Sequence, residues 1–183
     1  FGGRSRRAPP PRGANVNYRL WVGFADAATL APQRITLGDG KTIDLKLPKG
    51  VETGTQMRLP GRGEQGPGGS GDAIVTIEIK PHAFFRRDGA DVRLDLPVSL
   101  VEAVKGGKVK VPTVDGPGML GIPAGSTSGR APPTRGRGSR RREGRRGHRL
   151  VSLMVDAPAD DAALAEFVEN WADARNVRAA LGV

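Results

Sequence analysis

The glycine and proline punctuation of the first half of this chain returns about 75 residues later, and this repeat constrains the fold more than any other feature. Asp39-Gly40 recurs as Asp115-Gly116, Pro48-Lys49-Gly50 as Pro123-Ala124-Gly125, Gly54 as Gly129, and Gly61 with Gly63 as Gly136 with Gly138. Upstream, Phe24-Ala25-Asp26-Ala27 matches Leu100-Val101-Glu102-Ala103. Glycine and proline supply backbone dihedrals that other residues avoid, so their return at fixed offsets means that the same turns return. Two copies are too few for a solenoid. They predict two tandem domains of one fold, joined near residues 81–89.

Within each copy the apolar residues alternate. Tyr18, Leu20 and Val22 share one face, followed by Ile35 and Leu37, then by Ile43, Leu45 and Leu47 alternating with Asp44 and Lys46. The Asp39-Gly40 pair between two such runs predicts a hairpin turn. Only eight aromatic residues are present, which suits two modest cores better than one large one. Near the C-terminus the period changes. Leu164, Phe167, Val168 and Trp171 stand at i, i+3, i+4 and i+7, with Asp160 and Asp161 before them and Arg175 beyond, as a helix dipole favours. The expected architecture is mainly β: two tandem β-sandwich-like domains of similar fold plus a C-terminal α-helix. Residues 1–14 (FGGRSRRAPPPRGA) read as a flexible linker, 15–82 as the first β domain, 83–157 as the second, and 158–183 as the helix and tail.

Charge and composition narrow the function. Of the formal charge of +10, Arg4, Arg6, Arg7 and Arg12 supply four, and residues 130–149 hold nine arginines against Glu143, so the rest of the chain is net −2. No cysteine is present, which removes disulfides, thiolate zinc sites and cysteine nucleophiles together. No apolar run approaches the roughly 20 residues that cross a bilayer, and no signal-peptide pattern opens the chain, so a cytoplasmic protein is expected. The chain starts at Phe1, as a fragment of a longer protein would. Enzymatic candidates are poor: His82 and His148 are far apart in sequence, and no acid–base pair, metal set or cofactor site stands out. The G-x-G-x-x-G at residues 61–66 follows a strand but opens no helix, which argues against a dinucleotide site. Arg87 and Asp88 read as a hinge ion pair or turn.

The stretch GKTIDLKLPKGVETGTQMRLPGRG at residues 40–63, followed by Gly71-Asp72 and Pro81-His82-x-Phe84-Phe85-Arg86-Arg87-Asp88-Gly89, closely resembles the C-terminal region of DnaJ co-chaperones. So do Leu96-Pro97-Val98, Glu102-Ala103 and Val111-Pro112-Thr113-Val114-Asp115-Gly116. The similarity spans roughly residues 15–171, and many fixed positions in one order make it specific. The lack of cysteine points to the CbpA-like subgroup without a zinc region. The resemblance implies a horseshoe homodimer, joined through Leu164, Phe167, Val168 and Trp171, that binds unfolded polypeptides and delivers them to a DnaK-type ATPase chaperone. It places the client groove on Tyr18, Leu20, Ile35, Leu37 and Val75. The same five residues could equally be core, and the helix stripe could pack on the chain's own second domain, because alternation does not separate a covered face from an open one. The J domain of that family has no counterpart here, so this chain is expected to hold clients without stimulating the ATPase.

Residues 130–149 (RAPPTRGRGSRRREGRRGHR) break the pattern. Where the first copy reads Gln56-Met57-Arg58-Leu59-Pro60, the second reads Ala131-Pro132-Pro133-Thr134-Arg135, and two prolines spoil the expected strand. The pattern recovers at Leu150, Val151, Leu153 and Val155, as a local reading-frame slip would leave it. Three functions are therefore distinguished. A chaperone module binds unfolded protein through Ile35 and Leu37; a nucleic-acid or curved-DNA module binds in a salt-dependent way through the arginine run; a dimerisation scaffold does neither. The first is favoured, because the arginine run brings no aromatic stacking residues and no DNA-binding motif.

Overall fold

The computed structural model describes residues 8–131, 138 and 146–181. The first half runs β1 (Val16–Val22), α1 (Phe24–Thr29), β2 (Gln33–Thr36), β3 (Thr42–Leu45), β4 (Gln56–Leu59) and β5 (Ala73–Ile79). β5 is the middle strand of a three-stranded sheet, parallel to β1 and antiparallel to β4, while β2 and β3 form a separate hairpin. The second half begins with an added strand, β6 (Phe85–Asp88), and then repeats the series as β7 (Asp91–Ser99), α2 (Leu100–Lys105), β8 (Gly107–Thr113), β9 (Gly116–Ile122), β10 (Gly129–Arg130) and β11 (Arg149–Asp156). β11 is parallel to β7 and antiparallel to β10, β8 pairs with β9, and β6 closes the outer edge of β7. The chain ends with α3 (Ala162–Glu169) and a short 3-10 turn. The repeat reaches single hydrogen bonds: the Asn15 side chain accepts from Asp72 N–H, and 57 residues likewise separate Asp91 from the His148 N–H it accepts.

Two apolar clusters follow from the alternation. Val22, Leu45, Leu47, Val51, Val75 and Ile77 form the first, and Val92, Leu94, Leu96, Val98, Val111, Ile122, Val151 and Leu153 are among those that form the second. α1 belongs to both, because a single turn points Ala27 into the first cluster and Phe24 and Ala28 into the second. The link between the halves is packed: the His82 ring lies against Phe24, Phe84 and Phe85, and its Nδ1 accepts the N–H groups of Phe84 and Phe85 at 3.3 Å each.

Several expectations change on contact with the fold. Arg87 and Asp88 are not a pair. Arg87 reaches back to the Val51 carbonyl and to Glu52 at 3.7 Å, while Asp88 accepts from Arg93 at 2.8 Å, because neighbours in a strand point to opposite faces. The strand expected to be spoiled keeps two residues, β10, and Ala131 N–H still donates to the Val151 carbonyl at 2.8 Å; the prolines after it lie outside the described residues. The Asp39-Gly40 turn forms, with Gly40 N–H on the Leu37 carbonyl and Gly40 at φ 77°. The helix at the C-terminus ends two residues before the last residue of its apolar stripe, so Trp171 falls beyond the Asn170 cap.

Candidate functional site

β1, β5 and β4 lie side by side with Tyr18 opposite Val75 and Val75 opposite Met57, while Leu20 faces Ile77. Tyr18 and Leu20 are half-buried at one side of this face, and Ile35 of the hairpin packs half-buried on the same cluster. The Tyr18 hydroxyl accepts Gly38 N–H at 2.8 Å, which ties the hairpin turn to β1. The structure thus brings Tyr18, Leu20 and Ile35 together with part of each side chain open. Leu37 and Val75 are covered, at 3% and 0% exposure, and offer no contact area, Val75 as part of the first core. Ile43, opposite Ile35, and Met57 and Leu59 on β4 are further half-buried apolar residues beside the site. Alternation alone could have flagged them, since each sits at the in-facing parity of its strand.

The second half shows what a closed version looks like. The residues at the repeat positions of Tyr18, Leu20 and Ile35 are Leu94, Leu96 and Val111, and they are 3%, 7% and 1% exposed. β6 makes the difference. It lies antiparallel on β7 with Phe85 opposite Leu94, and Phe85 joins the second core. Among the described residues β1 pairs with β5 alone, so the edge that β6 covers in the second half is open in the first. The repeat shows no sign of this asymmetry, because β6 has no counterpart in the first copy.

Charge around the site is local. Asp72, 3% exposed at the start of β5, accepts Gly61 N–H at 2.8 Å and Arg58 Nε at 2.6 Å, with Arg12 4.0 Å away. The Gly61 hydrogen bond, then the Arg58 guanidinium, hold its carboxyl below the usual carboxylate range. Arg34 pairs with Asp44 across the exposed face of the hairpin at 3.1 Å. Among the described residues no group of three His, Asp or Glu could hold a metal ion, and no helix is long and apolar enough to cross a membrane. His82 and His148 are in different places, the first in the aromatic link and the second 3.5 Å from Asp91. Of the arginine run, residues 132–137 and 139–145 lie outside the described residues.

The second group of expected site residues stays open. Leu164 is half-buried, and Phe167 and Trp171, in edge-to-face contact at 5.3 Å, are 56% and 59% exposed. Together with Val168 and the exposed Val101 and Val104 of α2 they line a cleft of about 620 Å³. The helix stripe therefore faces α2 without being covered by it.

A doubled β unit, one copy with a strand edge unpaired among the described residues beside half-buried apolar side chains and the other with that edge filled, defines a class of tandem β-domain proteins. The family model described as DnaJ C terminal domain matches residues 16–158, and the chain belongs to that family. It is 42% identical over 137 residues to "Chaperone protein DnaJ 2" of Mycolicibacterium paratuberculosis, covering 73% of this chain and 35% of that protein. It is also 42% identical over 138 residues to "Chaperone protein DnaJ" of Rhodobacter capsulatus, covering 70% and 36%. "Chaperone protein DnaJ" of Methanothermobacter thermautotrophicus is 48% identical over 99 residues, covering 53% and 26%. The matched region thus spans about a third of the length of the first two relatives.

Proposed function

We propose that this chain is the part of a DnaJ-type co-chaperone that holds unfolded or misfolded polypeptides for delivery to a DnaK-type ATPase chaperone. The observation that carries the reading is the difference between the repeats: Tyr18, Leu20 and Ile35 are half-open beside an unpaired β1 edge, whereas Leu94, Leu96 and Val111 are buried in a half whose corresponding edge is filled by β6. An extended client segment would bury apolar side chains on Tyr18, Leu20 and Ile35 and hydrogen-bond to exposed strand backbone. The chemistry is physical, with no bond made or broken. Burying roughly 200 Å² of apolar surface contributes about 5 kcal/mol before ordering costs, which leaves weak binding suited to release. Two copies joined through α3 would raise the effective strength by avidity.

The test is suppression of aggregation of a chemically unfolded model protein by wild type and by Ile35→Glu, at matched folded content. A charge on the half-open hairpin side chain is expected to remove most of the protection, because desolvating it against an apolar client is costly. Wild type that gives no protection, or an Ile35→Glu variant that protects equally, overturns the reading.

A further inference from the structure

The described part of the segment read as a flexible linker does not behave as one. Gly13 N–H donates to the Gly69 carbonyl, Glu64 N–H to the Ala14 carbonyl and Gly68 N–H to the Pro11 carbonyl, each at 2.9 Å. These bonds join residues 10–14 to the loop between β4 and β5, backbone against backbone. The approach leaves no room for side chains: a Cβ on Gly68 would stand inside the Pro10 carbonyl, one on Gly13 inside the Glu64 carbonyl, and one on Gly71 inside the Ala14 carbonyl. Arg12 reaches toward buried Asp72 from the same segment. The second half holds its own entry residue the same way, since a Cβ on Gly138 or Gly147 would collide with the carbonyl of Ala90, immediately before β7. That contact accounts for Gly138 and Gly147 within the arginine-rich stretch.

We propose that the loop of residues 61–71 is a docking site for the chain's own lead-in, and that residues 10–14 form a strap fixed in it. Each half clips the residue that enters its first strand. The first half extends the clip with Gly66, Gly68 and Gly69, so that the polypeptide arriving at β1 is held for several residues and its direction is set by the domain. The glycines are required by the closeness of the two backbones; Gly13, Gly68 and Gly71 do not have positive φ. Because Asn15 and β1 follow directly, the strap also fixes the start of the open edge. This inference does not depend on what that edge binds.

Limited trypsin digestion of the full chain tests it at the Arg12-Gly13 bond. In wild type this bond is expected to be cut about a hundredfold more slowly than in a synthetic peptide of residues 8–20, since cleavage needs the strap to open. Gly68→Ala is expected to speed cutting at Arg12 about tenfold or more without speeding it at Arg58 in β4, which reports opening of the whole sheet. Equal acceleration at both sites would mean general unfolding and overturn the strap. So would wild-type cleavage at the peptide's rate, or amide exchange at Gly13 as fast as in that peptide, a measurement that needs no variant.

Discussion

Asp72 and His148 occupy the same place in the two repeats, and the charges around them are exchanged. In the first half a neutral Asn15 caps the backbone beside an ionised Asp72; in the second the carboxylate has moved to Asp91 and a histidine stands where Asp72 was. Asp72 has a folded value below its ordinary 3.8, so its contribution to stability is complete above that value and is lost as the pH falls through the lower folded one. Asp72→Asn should therefore unfold at a lower temperature than wild type at pH 7, and the gap should close as the pH is lowered below 3.8. Thermal unfolding at a series of pH values checks this, and a gap independent of pH would assign the effect to packing. The resemblance named Tyr18, Leu20, Ile35, Leu37 and Val75 together, and alternation put each on a strand face. Period two reports parity, and it is silent on whether a neighbour covers the side chain; that is why the burial of Leu37 and Val75 could not be read from it.

At the level of elements, the two short helices are related in position but differ in how they begin. The Ser99 hydroxyl accepts Glu102 N–H at 3.1 Å and the Glu102 carboxylate accepts Ser99 N–H at 2.9 Å, a reciprocal cap that α1, entered through Gly23, does not have. Ser99→Ala is expected to cost about 1 kcal/mol in urea unfolding, and a change near zero would show that tertiary contacts alone hold α2. β1, β2 and β3 were legible as alternating runs, and β7, β8 and β9 as their repeat positions. β6 was not, because Phe85-Arg86-Arg87-Asp88 carries no alternation of its own and becomes a strand only by pairing with β7. α3 stops after Glu169, where Asn170 and Trp171 turn their N–H groups to the carbonyls of Phe167 and Val168.

For the whole molecule, the cleft between α2 and α3 is the largest question of assembly. Val101, Val104, Phe167 and Trp171 are each more than half exposed, at 62%, 58%, 56% and 59%, and contiguous apolar surface of this kind is usually covered by something. If a second copy covers it, the mass in sedimentation should double with concentration, and Phe167→Asp should hold the chain as a monomer with unchanged unfolding. A wild type that is monomeric throughout would rule out a second copy as the cover. The sequence by itself determined that the fold is doubled, mainly β and closed by a helix, because turn dihedrals and side-chain parity are local properties written in residue order. Only the tertiary structure decided that one copy is open and the other shut, that α1 serves both cores, and that the supposed linker is strapped to a loop. Each of these depends on which surfaces meet across long stretches of chain, and such meetings leave no periodic trace.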